Sequence, residues 1–235
     1  MRSNYSVARV VTHTQSIHRT ALGYAAEQGD VDKVKLLLSD SSNDVNEPDD
    51  ECNYPLHLAA ENGHTEVVRL LLAEPLINVN VFDEYERTPL YLATSNGHAD
   101  IVKQLMSVPG VDVNKNAPLA EAAWNGHIDI VKLLLSVPGV DVNTGVPLAY
   151  AAGGGHIDIV KLLLGVPGVD VNKYAPLAKA AEQGHIDIVK LLLDVPGINV
   201  YRRAPLAKAA GAGHIDIVKL LLDVPGIDVY GDAPL

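Results

Sequence analysis

The sequence predicts an all-α solenoid made of stacked pairs of short helices. Pro-Leu pairs begin at residues 55, 89, 118, 147, 176, 205 and 234, with Ala21-Leu22 in the same place in the first unit, so the steps are 34, 34 and then five of 29 residues. Such a fixed period is typical of solenoids. Apolar residues make up 48% of the chain but aromatic residues only 5%. Small and aliphatic side chains must therefore form the core, which favours close stacking of short helices.

A first helix is expected to begin at each Pro-Leu pair, because proline is preset for the first helical turn. In the unit APLAEAAWNG, Leu119, Ala122 and Ala123 fall at i, i+3 and i+4 and predict one small apolar face. Gly126 should end this helix, since glycine tolerates the left-handed conformation.

A second helix is predicted from about His127, with Asp129 in its first turn, where the helix dipole favours a negative charge. The repeated segment HIDIVKLLL is apolar around most of its circumference. One unit alone cannot cover such a helix, but neighbours stacked on both sides can. Val137-Pro138-Gly139 should stop it, because the residue before proline avoids the α region and Pro-Gly suits a turn.

The repeated unit resembles the ankyrin repeat. The segments YPLHLAAENGHTEVVRLLLAEPLINVN and TPLYLATSNGHADIVKQL are similar to that family's TPLHxAAxxGHxxxVxxLL core, which is followed by a D-V-N turn. The match recurs seven times over roughly residues 20–232. The resemblance implies a curved stack of helix pairs with β-hairpin fingers at one edge, and a concave surface, lined by fingers and first helices, that binds other proteins.

Nine segments follow from this register. We expect an N-terminal arm at 1–19, ankyrin repeats at 20–53, 54–87, 88–116, 117–145, 146–174, 175–203 and 204–232, and the start of a truncated repeat at 233–235.

The connections between units fall into two classes. A full finger needs about eight residues after the D-V-N turn, and the first two junctions have them, Glu47 to Tyr54 and Val81 to Thr88. The later junctions keep three residues: Lys115-Asn116-Ala117, Thr144-Gly145-Val146, Lys173-Tyr174-Ala175 and Arg202-Arg203-Ala204. Three residues cannot form a projecting hairpin. Short β-hairpin fingers are therefore expected only at the N-terminal end.

A second departure accompanies the short connections. In the family, the Thr and His of Thr-Pro-Leu-His brace the finger against the helix, and Thr88 and His57 preserve parts of that pair. In the short units both places become apolar, as at Ala117 with Ala120 and Ala175 with Ala178. Losing both polar partners together leaves no orphaned group, so the change can be nearly neutral.

Charge and composition exclude several classes of function. The net charge of −11 argues against binding nucleic acid or an anionic membrane surface. No apolar run approaches the roughly 20 residues of a membrane span, and no secretory signal is visible. Residues 1–19 carry three arginines and no acid, which suits either a targeting segment or an extended arm. Cys52 is the only cysteine, so an intramolecular disulfide is impossible. A cytoplasmic, intracellular location is expected, and secretion as an effector of an intracellular organism stays open.

The repeated histidines do not predict a metal site or an active site. Helices pack about 8–10 Å apart, whereas zinc needs ligands at about 2 Å, so we expect the histidines to bond loop backbone. Gly153-Gly154-Gly155 does not follow a strand, which argues against a phosphate loop. It is either a weakened first helix or a notch beside Trp124 in the binding surface. We therefore predict no catalytic residue, cofactor or metal, and no enzymatic activity.

Trp124 is the leading candidate for contact with a partner, because exposed tryptophan is enriched at binding hot spots. The alternative is that it and the tyrosines only pad contacts between repeats. The predicted partner-binding residues are Tyr24, Tyr91, Glu121, Trp124, Asn125, Tyr150, Lys179, Glu182, Arg202, Arg203 and Lys208.

Charge is distributed unevenly along the array. The N-terminal fingers hold the acids Glu47, Asp49, Asp50, Glu51, Asp83, Glu84 and Glu86, and the C-terminal units hold Lys173, Lys179, Arg202, Arg203 and Lys208. The sequence thus predicts a protein–protein interaction module that binds a protein or peptide through the concave face of the first helices, with an acidic partner segment at the C-terminal end. The alternative is a structural spacer, or an array that associates weakly head to tail.

The turn asparagines raise one further possibility. Leu135 to Asn143 is similar to the pattern recognised by ankyrin asparaginyl hydroxylases, and Asn114 and Asn172 lie at equivalent positions. The simpler interpretation is an asparagine that satisfies local backbone in the turn.

Overall fold

A computed structural model describes residues 19–225. The N-terminal arm except Arg19, and the predicted truncated repeat at 233–235, lie outside this range. Fourteen helices and no strand occur within it. The first helices are α1 (Ala21–Gln28), α3 (Pro55–Glu61), α5 (Pro89–Ser95), α7 (Pro118–Asn125), α9 (Pro147–Gly154), α11 (Pro176–Gln183) and α13 (Pro205–Ala212). The second helices are α2 (Val31–Leu38), α4 (Thr65–Leu72), α6 (Ala99–Met106), α8 (Ile128–Leu135), α10 (Ile157–Leu164), α12 (Ile186–Leu193) and α14 (Ile215–Leu222).

The first helices form as the sequence predicts. In α7, Pro118 occupies the first turn, and Leu119, Ala122 and Ala123 are buried. Gly126 caps the carboxyl end in the left-handed conformation with a φ of 77°. The single apolar face of each short helix therefore packs against neighbouring helices.

The second helices complete the core. Ile130, Val131 and Leu134 are buried in α8, while Asp129 and Lys132 are exposed on the outer side. Each first helix packs on the first helices of adjacent units, and each second helix packs on the neighbouring second helices. One continuous apolar core runs through the stack. The predicted all-α solenoid of stacked helix pairs is confirmed.

The two long connections do not form the predicted β-hairpins. In the second, the Asp83 N–H donates to the Arg87 carbonyl at 3.1 Å and closes a turn, but no strand forms. The physical reason lies in the carboxylate of Asp83, whose Oδ1 accepts the N–H groups of Tyr85 and Arg87. These two N–H groups therefore cannot donate to the backbone of a paired strand. Asp49 organises the first connection in the same way, through Glu51 and Asn53.

The short connections close through backbone in the left-handed region. The residue before each proline has a positive φ: 51° at Ala117, 62° at Val146, 53° at Ala175 and 46° at Ala204. At the long junction, by contrast, Thr88 is extended, with a φ of −95°. The residue before a proline ordinarily takes the extended region. The shorter connection is therefore closed by a strained residue at the helix entrance.

The repeated histidines tie each unit to the preceding one. His156 Nε2 lies 3.0 Å from the Trp124 carbonyl, and five others make the same contact. Each of these six rings also sits against the glycine that ends the preceding first helix, such as Gly126. The expected bond to loop backbone is thus made across units, and the histidines have a structural role.

The turn asparagines form a second set of ties, which we call the asparagine ladder: Asn46, Asn80, Asn114, Asn143 and Asn172. Asn143 Nδ2 donates to the Gly168 carbonyl at 2.8 Å, and its Oδ1 accepts from the Asp170 N–H at 2.8 Å. Each amide therefore bridges to the turn of the following unit. The expectation that it satisfies only local backbone is wrong.

Candidate protein-binding face

Two positions of each first helix lie side by side along the stack, and we call their surface the first-helix face. The fourth helical position carries Tyr24, Leu58, Leu92, Glu121, Tyr150, Lys179 and Lys208. The seventh carries Glu27, Glu61, Ser95, Trp124, Gly153, Glu182 and Gly211. The side chains in these two rows differ from repeat to repeat in size, polarity and charge.

The length of the flanking connections changes this face. Leu58 and Leu92, whose units each follow a long connection, are only 3% and 2% exposed. In the units flanked by two short connections, the same position is aromatic or charged and is not buried, as at Glu121, Tyr150 and Lys179. Polar and aromatic side chains thus replace a buried leucine where the long connections are missing.

Trp124 lies in the first of these units, repeat four, and is 52% exposed. Its ring packs edge-on against Tyr150, with centroids 5.3 Å apart and planes at 66°. Gly153 occupies the tryptophan's position in the next unit, and a Cβ there would lie 3.6 Å from that of Lys179. The face therefore has a recess at Gly153, with Trp124 in the preceding unit and Lys179 in the following one.

Three other predicted residues belong to one network across units three and four. Glu121 accepts hydrogen bonds from the Ser95 hydroxyl and the Asn125 amide, both at 2.9 Å. The Tyr91 hydroxyl also bonds to this carboxylate. Burial, together with the negative charge of Glu121, raises the pKa of Tyr91. These side chains hold one another in place beside Trp124.

A cationic cluster lies in the later units. The Tyr174 ring has the Arg203 guanidinium 4.1 Å and the Lys179 ammonium 5.7 Å from its centroid. Arg202 is exposed next to Arg203. Lys208, in contrast, pairs with Glu182 at 2.9 Å, and that hydrogen bond lowers the pKa of the glutamate.

The sequence interpretation missed Tyr174 as part of this cluster. The signal was present, because Tyr174 and Arg203 stand 29 residues apart at equivalent places in successive connections. Equivalent places are stacked in a solenoid, so an aromatic ring and a cation at that spacing predict a contact.

The N-terminal end of the face is a groove of about 410 Å³. Its lining comprises Arg19, Glu27, Glu51, Asn53, Leu58, Glu61, Asn62, Glu84, Tyr85 and Arg87. Tyr24 is exposed nearby on α1, with Lys33 over its ring. Asp49 and Asp83 are buried and bond the backbone of their turns, so they are not the surface charges that the sequence suggested.

Two further features were sought in the described residues, a metal site and a membrane-spanning helix. Between residues 19 and 225, no three His, Cys, Asp or Glu side chains converge as a metal site would require. No helix in that range is long and apolar enough to cross a membrane.

Comparison with known proteins agrees with this architecture. The model for ankyrin repeats (three copies) matches residues 4–83, 22–117, 75–146 and 148–233. No curated protein gives a significant match. Among solved structures, the crystal structure of the human ASB11 ankyrin repeat domain is 29% identical, with a TM-score of 0.76. The match covers 89% of this chain and all of that one. The chain belongs to the ankyrin-repeat family.

Proposed function

We propose that this protein is an interaction module that binds a protein or peptide through the first-helix face of repeats four to six. The observation that carries the proposal is Trp124, a large apolar side chain left half exposed beside Tyr150. Ankyrin repeats are in general protein–protein interaction modules and not enzymes. The predicted partner-binding residues of this region, from Glu121 to Arg203, remain part of the proposal, and Lys208 lies in the adjoining repeat seven.

The short connections support this location. The first helix that follows each long connection has a buried leucine on the face, whereas the first helices between short connections carry side chains that a partner can reach. Burying an aromatic side chain such as Trp124 in an interface is worth about 1.5–3 kcal/mol. We therefore expect the first helices between the short connections to contribute more binding energy than those that follow the long connections.

The test is selection of peptides from a random library displayed on phage, followed by measurement of their affinity for variants. Trp124→Ala should weaken binding by about tenfold or more, as expected for a hot spot. The matched control is Leu76→Ala, which removes another exposed apolar side chain from a turn outside the face. Equal affinities for wild type and Trp124→Ala would contradict the proposal.

A second candidate is a structural or self-assembling array, which is favoured by the apolar side chains exposed at the last described unit. Ile215 is 66% exposed and Leu222 48% exposed on α14. In this case another copy would cover them, and Ile215→Asp would lower the sedimentation coefficient at high protein concentration. A monomer at both low and high salt would eliminate this candidate.

We also propose an intracellular location. Cys52 is an exposed free thiol and the single cysteine of the chain, which suits a reducing compartment. Fractionation of the source cells tests this, and recovery of the protein only from the culture medium would contradict it.

A further inference from the structure

We infer that the recess at Gly153 and the cationic cluster of the next repeat together select an extended peptide, with one large apolar side chain and an acidic side chain about three residues away. This inference rests on the proposed function and specifies its partner. The recess defines the apolar position, and Lys179 and Arg203 define the acidic one.

The recess is suited to a side chain from outside. Gly153 is the residue before the last in α9, where alanine is still the better helix former. A Cβ at this position would make only an ordinary van der Waals contact with Lys179. Packing inside the chain therefore does not require a glycine here. Its effect is to keep open the space between the Trp124–Tyr150 pair and the stem of Lys179.

The charge of the partner follows from the cations beside that space. The chain as a whole has a net charge of −11. Nevertheless, none of the salt bridges in the described part of the chain includes Lys179, Arg202 or Arg203. The Tyr174 ring gathers Lys179 and Arg203 without neutralising them, because its quadrupole attracts cations but carries no charge. Glu182, whose charge also acts on Lys179, is already paired with Lys208 at 2.9 Å. A carboxylate on the partner would supply the direct ion pair that Lys179 and Arg203 lack.

The spacing follows from the repeat geometry. The axes of packed helices lie about 8–10 Å apart, so one step along the stack, from the axis of α9 to that of α11, covers about that distance. An extended peptide rises about 3.3 Å per residue. The apolar and acidic side chains of the partner should therefore be about three residues apart along its chain.

The first experiment uses a random peptide library displayed on phage, selected on the whole chain. Enriched peptides should share a Trp, Phe, Leu or Met with an Asp or Glu about three residues away. Gly153→Leu should weaken their binding about tenfold or more while raising the urea concentration at half unfolding, because leucine fills the recess and improves the helix. The matched control is Gly211→Leu. Gly211 has the same helical position in the seventh repeat, and no atom would lie within 4 Å of a Cβ added there. It should stabilise the fold and leave affinity unchanged.

The second experiment tests charge. Lys179→Glu with Arg203→Glu should weaken binding of the selected peptides about tenfold or more, and amide replacement of the peptide's own acid should cause a similar loss. Lys161→Glu reverses a charge on the outer side of α10 and should have little effect.

Three results would overturn the inference: no enrichment of the paired pattern, affinity that is insensitive to Gly153→Leu, or enrichment of basic peptides. Peptides that lose affinity with Trp124→Ala but not with Gly153→Leu would leave the proposed function standing and reject only this specificity. Peptides that are insensitive to every change on the first-helix face would reject both.

Discussion

Val146 shows how one residue accommodates the shortened repeat. It precedes Pro147 with a φ of 62° and a ψ of 54°, a left-handed conformation that is costly for a β-branched residue. Its N–H still donates to the Asn143 carbonyl at 3.3 Å and closes the connection. The turn is therefore satisfied in hydrogen bonds while its backbone is strained.

Replacing Val146 by glycine should raise the free energy of unfolding by up to about 1 kcal/mol. Relief of the left-handed backbone is worth about 1–2 kcal/mol, and the greater freedom of glycine in the unfolded chain offsets part of it. Urea unfolding followed by circular dichroism measures the difference. The control is Val140→Gly, at a turn residue without a positive φ, which should destabilise. A less stable Val146→Gly would show that the backbone there is not strained.

His57 is a buried histidine of α3 that contacts the second long connection. It is fully buried, its Nδ1 accepts the Tyr54 N–H, and its Nε2 lies 3.0 Å from the Arg87 carbonyl. With Nδ1 accepting, Nε2 carries the proton and donates. Burial lowers the pKa of His57 below the ordinary value of 6.5, and its hydrogen bond to the Arg87 carbonyl opposes this only in part.

Stability should therefore fall as the pH is lowered below about 6.5, because the unfolded chain takes up the proton at His57 before the folded chain does. The loss continues down to the folded pKa, at about 1.4 kcal/mol for each tenfold difference in proton affinity. Urea unfolding between about pH 7.5 and pH 5 measures this slope. His57→Ala should be less stable than wild type, but its free energy of unfolding should lack the part of the pH dependence that comes from His57. The same slope in both proteins would contradict the assignment.

The sequence predicted the exposure of Trp124, but it did not predict the left-handed backbone of the residues that precede the prolines. Exposure follows from the helical register, which the Pro-Leu and Gly-His pairs define. The conformation of Ala117, Val146, Ala175 and Ala204 has no signal in residue type, because none of them is glycine. It follows from the distance that three residues must close.

At the scale of elements, the asparagine ladder joins the turns of successive units beside long and short connections alike. Each amide makes two hydrogen bonds to the backbone of the next turn, through the same atoms at every step from Asn46 to Asn172. Tyr201 stands at the ladder position of the sixth repeat. The ladder residue therefore changes at the repeat that contributes Lys179 to the cationic cluster.

Asn143→Ala should lower the free energy of unfolding by about 1–2 kcal/mol, because it removes two inter-unit hydrogen bonds that water replaces only in part. Differential scanning calorimetry or urea unfolding measures the change. The comparison is Asn62→Ala, whose amide bonds the Leu58 carbonyl within its own helix, and which should cost less than about 0.5 kcal/mol. Equal losses would mean that the ladder contributes nothing beyond a local bond.

The long connections illustrate the limit of family resemblance at this scale. Their length was read correctly, but their hairpins were not formed, because the carboxylates of Asp49 and Asp83 take the backbone N–H groups that strands would need. An aspartate followed closely by further polar residues is a turn signal. That local chemistry outweighed the expectation taken from the family.

At the scale of the whole molecule, the repeat period couples stability to function. The shorter unit lacks the long connection and has apolar residues in place of the polar bracing pair. It carries aromatic and charged side chains on the first-helix face. The fold was predictable because seven units repeat the same apolar pattern. The binding face was predictable only as a set of positions. The Tyr174 cluster and the recess depend on which side chains meet across units.

The fluorescence of Trp124 tests the central claim most directly, because it is the single tryptophan of the chain and lies half exposed in the proposed site. A selected peptide that contains no tryptophan is titrated into the protein while emission and quenching by acrylamide are recorded. Binding should shift the emission to shorter wavelength and reduce quenching, and Gly211→Leu should behave like wild type. Saturable binding with unchanged emission and unchanged quenching would place the partner elsewhere on the solenoid.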